Sequence, residues 1–280
     1  MLHVVRPPFN SQLLSTHPAL VHRWLFDIPG ILHRDLSPNN IMCRFIEEMN
    51  ASGKLERKVY GVLTDYDLSS WKEALENDYT RTSQQRTGTP PYMAQELLKG
   101  MSTTHLYRHD LESLFYIMLL TTTRHTIDPT KGGVVMREGT RPYQEWFDEQ
   151  RYNALGSFKG DSLSVQRPID LSPAFQVFRP WLRDVRSDFS RGFTYKESCM
   201  TDVPLWRREQ DGESSGGATL TPVSFDDETL GGRVSYSTII EPTRYLKGEL
   251  EALVVRYKPT ASPPLAAPTS AVKAGARIDS

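Results

Sequence analysis

The decapeptide HRDLSPNNIM, His33 to Met42, constrains this 280-residue chain more than any other stretch. It places a carboxylate, Asp35, five residues before an amide, Asn40. Phosphoryl transfer uses such a pair, because the carboxylate can face the attacking hydroxyl while the amide oxygen holds a metal ion on nucleotide phosphates. Taken alone, the block could also be a solvated turn, since serine, proline and asparagine are common chain breakers.

Two further segments follow in the order that this chemistry requires. The stretch Val62 to Leu68 predicts a short buried strand that delivers Asp65 at its end, as the second oxygen ligand of a nucleotide-bound magnesium ion. Beyond a loop rich in Thr, Ser and Arg, the segment GTPPYMAQE, Gly88 to Glu96, predicts a turn that runs into a helix. Three ordered segments are much harder to obtain by chance than one.

Together these segments resemble the carboxyl-terminal lobe of a eukaryotic-type protein kinase, and most closely the fungal-type protein kinase family. The matching positions are His33, Arg34, Asp35 and Asn40 in the catalytic loop, Asp65 and Tyr66 in the metal-binding motif, and Gly88, Thr89, Ala94 and Glu96 in the substrate-positioning segment. In the helix HDLESLFYIMLL, Asp110 corresponds to the buried aspartate that ties the catalytic loop to the lobe. The string FDDETLGG, Phe225 to Gly232, and the Trp146 region also resemble this family, and the likeness spans roughly residues 20 to 250.

The resemblance implies ATP and magnesium as cofactors and a protein as substrate. It implies that Asp35 accepts or orients the proton of a Ser or Thr hydroxyl, while Asn40 and Asp65 hold magnesium. Thr89 would hydrogen-bond near Asp35, and His33 would support the loop. Arg34 would pair with a phosphate on the following loop, where the candidate acceptors are Thr80, Thr82, Ser83 and Thr87.

Three positions depart from the family pattern. Ser37 stands where most protein kinases have a Lys, which removes a positive charge near the transferring phosphate. Asp67 replaces the Gly of the metal motif; we interpret it as an exposed turn carboxylate, with a third metal ligand as the alternative. Gln95 replaces a Pro, which matters little as long as Glu96 finds an Arg.

The 32 residues before His33 contain neither a glycine-rich loop nor a strand Lys to cradle nucleotide phosphates. We therefore expect a kinase large lobe without its small lobe. One hypothesis is a Ser/Thr protein kinase, truncated in this sequence, that transfers the γ-phosphate of ATP to protein hydroxyls. The alternative is a catalytically impaired kinase-like scaffold or binding protein. A small-molecule phosphotransferase is a third class, but such enzymes lack a peptide-positioning segment like Gly88 to Glu96.

Composition excludes several other classes of protein. The 33 basic and 34 acidic residues balance, so bulk charge favours neither nucleic acid nor a membrane surface. The two cysteines, Cys43 and Cys199, are too few for a disulfide framework or a zinc site. We find no membrane-spanning run and no signal-peptide pattern, so a soluble cytoplasmic or nuclear protein is expected. The sequence leaves the oligomeric state open.

The pattern of apolar residues predicts a mainly α (α+β) fold with a short β hairpin. The hairpin tip is expected at Asn50 to Lys54, within the insertion between Asn40 and Asp65. Residues 18 to 27 predict a helix that packs Leu20, Trp24 and Leu25 inward. Helix 108 to 120 is apolar on most faces, which predicts that it is buried. A buried Asp110 would then need hydrogen-bond donors, which the backbone amides of the catalytic loop could supply. The alternative is that an Asp at this position is favoured by the helix N-terminus alone.

Two aromatic sets predict further packed helices: Phe175, Phe178, Leu182, Val185 and Phe189, and separately Trp146, Phe147, Ala154, Leu155 and Phe158. Residues 208 to 224 lack periodicity and predict a flexible loop. We assign residues 1 to 257 to one kinase-like lobe. Residues 258 to 280, rich in Pro, Ala and Ser, predict a disordered tail.

Overall fold

A computed structural model describes residues 11–53, 55–72, 88–102, 104–128, 130, 133–139, 141–163, 168–210 and 225–246. The α-helices are α1 Ser11–Asp27, α2 Gln95–Lys99, α3 Tyr107–Arg124, α4 Glu145–Asp148, α5 Tyr152–Leu163, α6 Arg179–Gln210 and α7 Tyr236–Ile240. The strands are β1 Ile31–Leu32, β2 Ile41–Met49, β3 Leu55–Leu63, β4 Ser70–Trp71, β5 His125–Asp128 and β6 Gly133–Met136. Two 3₁₀ helices cover Pro173–Phe178 and Glu241–Leu246. The fold is therefore mainly helical with small antiparallel sheets, as the sequence predicted.

The centre of the fold is α3, in which every residue except Thr121 is buried. This confirms the predicted burial of helix 108 to 120. The predicted stripe from Phe175 to Phe189 packs in the same core, where all five of its members are fully buried. The stripe is divided between two elements, because Phe175 has a non-helical backbone conformation inside the 3₁₀ helix that precedes α6.

The strands form three two-stranded antiparallel pairs, β1 with β4, β2 with β3, and β5 with β6. The β2–β3 hairpin runs in unbroken register from Ile41 opposite Leu63 to Met49 opposite Leu55. At its tip the Gly53 amide donates to the carbonyl oxygen of Asn50 at 2.9 Å, and Gly53 has a φ of 75°, which glycine adopts readily. The predicted tip is thus confirmed up to Gly53, and residue 54 lies outside the described residues.

The inward face predicted for α1 is wrong for Leu20 and Trp24, whereas Leu25 is half-buried. Leu20 is 45% exposed and Trp24 is 60% exposed, whereas Ala19 and His22 are fully buried. Phe26 packs on the Tyr107 ring at a centroid distance of 4.8 Å. The helix is rotated toward this second face because the polar His22 has buried partners there, as described below.

The second aromatic set is only partly buried. Trp146 and Leu155 lie in the core, but Phe147 is 42% exposed, and the set is shared between the short helices α4 and α5. Of the predicted loop at 208 to 224, residues 208–210 belong to α6 and the rest lie outside the described residues, as does the predicted tail. None of the helices within the described ranges is long and apolar enough to cross a membrane.

Candidate active site

The loop that follows β1 is held from below by Asp110 of α3. The backbone amides of His33 and Arg34 donate to the Asp110 carboxylate at 3.1 and 3.2 Å. Arg34 has a left-handed φ of 69°, a conformation that side chains rarely adopt unless the surroundings hold it. These amides are the donors that the sequence led us to expect.

Two histidines complete the surroundings of Asp110, and sequence reasoning missed both. His22 of α1 and His105 contact the carboxylate through Nε2 at 2.7 and 2.9 Å. Full burial by itself raises the pKa of Asp110, but the two imidazoles outweigh that effect and hold it well below its usual value. His22 in turn contacts the Tyr236 hydroxyl through Nδ1 at 2.6 Å, so α1, α3 and α7 meet beneath the loop.

Asp35 lies at the surface of this loop with one carboxylate oxygen fully engaged. Its Oδ1 accepts hydrogen bonds from the Thr89 amide at 2.9 Å and from the Thr89 hydroxyl at 2.8 Å. Among the residues that the structure describes, its Oδ2 receives a single long contact, of 3.3 Å, from Asn40 Nδ2. The carboxylate is therefore oriented by one oxygen and keeps the other for a further hydrogen bond.

Asn40 is tied to Asp35 through its side-chain nitrogen. Nδ2 also donates to the Asp35 carbonyl oxygen at 2.8 Å, which leaves Asn40 Oδ1 as the atom that can serve as a cation ligand. The Asn40 carbonyl oxygen accepts from the Thr64 amide at 2.9 Å. This bond joins the two ends of the β2–β3 hairpin directly at the site.

Asp65 follows Thr64 and is exposed. Thr64 is anchored on both sides of the loop, because its carbonyl oxygen also lies 3.0 Å from His33 Nε2. Asp65 itself has a left-handed φ of 64°, and the next ring, Tyr66, lies 5.0 Å from the His33 ring. The carboxylate thus projects from a backbone position fixed against the catalytic loop.

An amide oxygen and an exposed carboxylate next to it are ligand types that magnesium accepts, with phosphate oxygens and water supplying the rest. The residues present therefore fit a nucleotide-bound magnesium ion. Within the described part of the chain, no group of three or more His, Cys, Asp or Glu side chains is placed to hold a metal ion without such help.

The departures from the family pattern have different structural settings. Ser37 is buried at 1% exposure and accepts the Asn40 amide on its carbonyl oxygen at 3.0 Å, so this position serves the turn of the loop. Asp67 is exposed in the turn after Asp65, in agreement with its interpretation as a turn carboxylate.

The segment Gly88 to Glu96 closes over the other side of Asp35. Gly88 has a φ of 120°, and a Cβ there would lie 3.1 Å from the Arg34 carbonyl oxygen, so a side chain at this position would be strained and crowded. The Tyr92 amide donates to the Thr89 carbonyl oxygen at 2.8 Å, which turns the chain toward α2 as predicted. Asp35, Thr89, Met93 and His105 are among the residues that line a narrow gap between the loop and this segment, too small to hold a water molecule.

Glu96 has the Arg partner that the sequence called for, and it has more than one cation. Arg108 and Lys196 contact its two oxygens at 2.5 and 2.7 Å. Asp227, from the FDDETLGG string, contacts the same Arg108 and Lys196 at 3.0 and 2.6 Å. Burial by itself raises the pKa of Glu96, but His109, Arg108 and Lys196 together hold it well below its ordinary value.

Arg34 is nearly buried beside the start of the loop that carries the candidate phosphate acceptors. Its Nη1 donates to the Ser70 hydroxyl at 2.6 Å. Burial lowers the pKa of Arg34, and Asp110 acts in the opposite direction. Thr80, Thr82, Ser83 and Thr87 lie outside the described residues, so their pairing with Arg34 stays a prediction.

The same portion of the chain matches a known family. Residues 18–122 match the family model described as fungal protein kinase. The matched range includes the catalytic loop, Asp65, the Gly88 to Glu96 segment and Asp110. No curated protein matches the chain. The family match and the motifs therefore agree over the same residues, and this part of the chain is similar to fungal protein kinases.

Proposed function

We propose that this chain carries the catalytic loop of a protein kinase that transfers the γ-phosphate of ATP to Ser or Thr hydroxyls of a protein. The observation that carries the proposal is the setting of Asp35. Thr89 engages its Oδ1 twice, while Asn40 contacts its Oδ2 at only 3.3 Å. A general base needs this combination of fixed orientation and an accessible oxygen.

Asp35 Oδ2 is the atom that would receive the hydrogen bond, and then the proton, of the acceptor hydroxyl. Thr89 holds the carboxylate through two hydrogen bonds to Oδ1, so Oδ2 is the oxygen that is left for the acceptor. Asn40 restrains the same carboxylate from the other side. The chain thereby supplies positioning, which is the main protein contribution to phosphoryl transfer.

The nucleotide and its magnesium ion would supply the electrophilic phosphoryl group and neutralise its developing charge. Asn40 Oδ1 and the exposed Asp65 carboxylate are the groups that would hold the ion. Thr64 and Tyr66 both contact His33, which restricts the positions that the Asp65 carboxylate can occupy. A bound ion would therefore lie on the Asp35 side of the hairpin.

A protein acceptor is favoured over a small molecule by the segment Gly88 to Glu96. This segment binds Asp35 through Thr89 and is anchored at Glu96 to buried cations. A fixed backbone segment beside the base suits the recognition of an extended peptide that presents a Ser or Thr.

The test is phosphorylation of a mixture of Ser- and Thr-containing peptides by the chain in magnesium ATP. We expect transfer by the wild type and a loss of about 10²- to 10⁴-fold in Asp35→Asn, the range expected for removal of a general base. Asp65→Ala is expected to remove magnesium-dependent ATP binding, as followed by calorimetry. Asp67→Asn is the matched control, because this exposed carboxylate two residues further along is expected to retain activity. Equal activity in Asp35→Asn and the wild type would refute the assigned role.

A second candidate, a kinase-like protein that binds partners without transferring phosphate, is favoured by Ser37. This position is buried and carries no charge where most protein kinases have a Lys beside the phosphate. The same assay separates the two candidates. Absence of transfer by the wild type, together with no thermal shift in magnesium ATP, would support the second.

A further inference from the structure

The segment Gly88 to Glu96, which binds Asp35 through Thr89, is itself held by two buried ionisable side chains that belong to different helices. Lys159 of α5 and Glu112 of α3 are both fully buried. The sequence analysis assigned no role to either residue, although Glu112 lies in the helix HDLESLFYIMLL. Each contacts the backbone of the Pro90–Gln95 stretch, one at its carbonyl oxygens and the other at an amide.

Lys159 binds the first half of this stretch. Its Nζ donates to the carbonyl oxygens of Pro90 at 3.0 Å and Met93 at 2.5 Å. The same nitrogen lies 4.4 Å from the Tyr116 ring centroid and 5.1 Å from that of Trp146. Burial lowers the pKa of Lys159 well below its usual value, and Glu112 partly counteracts this effect.

Glu112 binds the second half. Its Oε1 accepts from the Gln95 amide at 2.8 Å, at the first residue of α2, and from the Tyr116 hydroxyl at 2.6 Å. Tyr116 therefore joins the two sites, since its ring lies against Lys159 and its hydroxyl binds Glu112.

The packing of α5 on α2 places Lys159 in reach. A Cβ added to Gly156 would lie 2.7 Å from Lys99 Cγ and 3.0 Å from the Gln95 carbonyl oxygen, so the two helices approach more closely than a side chain allows. Burying two ionisable groups is costly, and apolar residues of similar volume usually pack there at least as well. What Lys159 and Glu112 do contribute is a set of hydrogen bonds to the Pro90–Gln95 backbone, which directly follows Thr89, the residue that orients Asp35.

We propose that Lys159 and Glu112 are positioning residues that hold the Pro90–Gln95 backbone in the conformation that receives the protein acceptor. The proposal rests on the proposed kinase function for its consequence in catalysis. Its structural part concerns the segment alone. Loss of either residue would loosen this backbone stretch while leaving the candidate nucleotide ligands Asn40 and Asp65 in place.

The first arm of the test is hydrogen exchange at the amides of Tyr92, Met93 and Gln95 in the full chain. We expect exchange to become about tenfold faster at Tyr92 and Met93 in Lys159→Met, because the carbonyl oxygens that the ammonium holds are released. Lys99→Met is the matched control and is expected to leave these rates unchanged, since Lys99 Nζ donates to the side chain of Gln95 and, among the described residues, to no backbone oxygen of this segment.

Glu112 provides variants that separate a specific contact from a general loss of folding. Glu112→Gln keeps an oxygen that can accept from the Gln95 amide and is expected to retain slow exchange there. Glu112→Met removes the acceptor and is expected to accelerate exchange at Gln95 about tenfold. These variants also test the proposal if Lys159→Met fails to fold.

The second arm is kinetic. In Lys159→Met and Glu112→Met we expect the KM for the acceptor peptide to rise about tenfold, whereas the KM for ATP stays unchanged; a general loss of structure would move both. Unchanged exchange in Lys159→Met and Glu112→Met would overturn the proposal, and so would faster exchange with an unchanged peptide KM. Absence of turnover in the wild type would instead refute the kinase function, and the exchange rates would still decide the structural part.

Discussion

His109 is a fully buried histidine one residue before Asp110, and it gives the fold a dependence on pH. The Leu106 amide donates to His109 Nδ1 at 3.0 Å, so that nitrogen has no room for a proton. Burial, with Arg108 as the next cause, lowers the pKa of His109 from 6.5 to about 3. Between these values the unfolded chain binds a proton that the folded chain excludes.

Stability should therefore be full above about pH 6.5 and fall as the pH decreases toward the folded value. For His109 alone we expect the free energy of unfolding to fall by about 1.4 kcal/mol per pH unit in this window. The measurement is urea unfolding of the wild type and His109→Gln at about pH 7, about pH 6 and about pH 5. His125, whose pKa burial also lowers, contributes in both proteins, so the variant should show the shallower slope. Equal slopes would contradict the assignment.

Single residues also show what the sequence can and cannot predict at a site. Asp35 and Asn40 lie five residues apart, so a tight loop must bring them close, and the order of the motifs led to Thr89. His22 is 88 residues from Asp110, and nothing near it in the sequence indicates a buried partner. Polar residues whose partners are distant in sequence are the ones that sequence reasoning assigns to the surface.

At the level of elements, α5 and α2 pack through a pair of glycines whose surroundings differ. A Cβ on Gly156 meets the Gln95 backbone oxygen at 3.0 Å, whereas a Cβ on Gly160 meets only side-chain ends, Gln95 Oε1 at 2.7 Å and Lys99 Nζ at 3.3 Å. Flexible side-chain ends can move aside, but a backbone carbonyl within a helix contact cannot do so without separating the two elements.

We expect Gly156→Ala to lower the free energy of unfolding by about 1 to 3 kcal/mol through overpacking, even though alanine favours a helix by about 1 kcal/mol. Gly160→Ala is the matched control and should be neutral or slightly stabilising, because it gains the same helix propensity at a contact that can yield. Thermal and urea unfolding of both variants provides the measurement. A larger loss in Gly160→Ala than in Gly156→Ala would show that the helix contact has been misplaced.

Elements with a continuous apolar pattern were predictable, and those with isolated apolar residues were not. The interior of α3 has so many apolar residues that only a buried helix can accommodate it. In α1 the apolar residues are spread over more than one face, so pattern alone cannot select the inward one. The choice is made by His22 and Phe26, whose contacts come from α3 and α7.

Across the whole molecule, the Glu96 cluster joins parts of the chain that are far apart in sequence. Arg108 comes from α3, Lys196 from α6 and Asp227 from the FDDETLGG turn. Glu96 itself is buried, but the Asp227 side chain is 40% exposed. The two carboxylates therefore bind the same cations in very different solvent environments.

We expect Glu96→Gln to lower the free energy of unfolding by about 3 to 5 kcal/mol, because two nearly buried cations lose their main counter-charge. Asp227→Asn should cost less than about 1 kcal/mol, as is usual for an ion pair that solvent screens. Urea unfolding at neutral pH, without added salt and again in about 1 M salt, checks both expectations. If Asp227→Asn lowered the free energy of unfolding as much as Glu96→Gln, Glu96 would not be the main counter-charge of the two cations.

The β2–β3 hairpin makes the geometry of the candidate site independent of the length of the chain inserted between Asn40 and Asp65. Its strands pair from Ile41 opposite Leu63 outward, and Thr64 bonds back to Asn40, so the spacing of the two ends is set at the base. A reporter domain or an affinity tag inserted at the far turn near Ser52 would be separated from the catalytic loop by the nine residue pairs of the hairpin. This turn is therefore a suitable insertion site for foreign sequence, because an insertion there leaves the geometry of the candidate site unchanged.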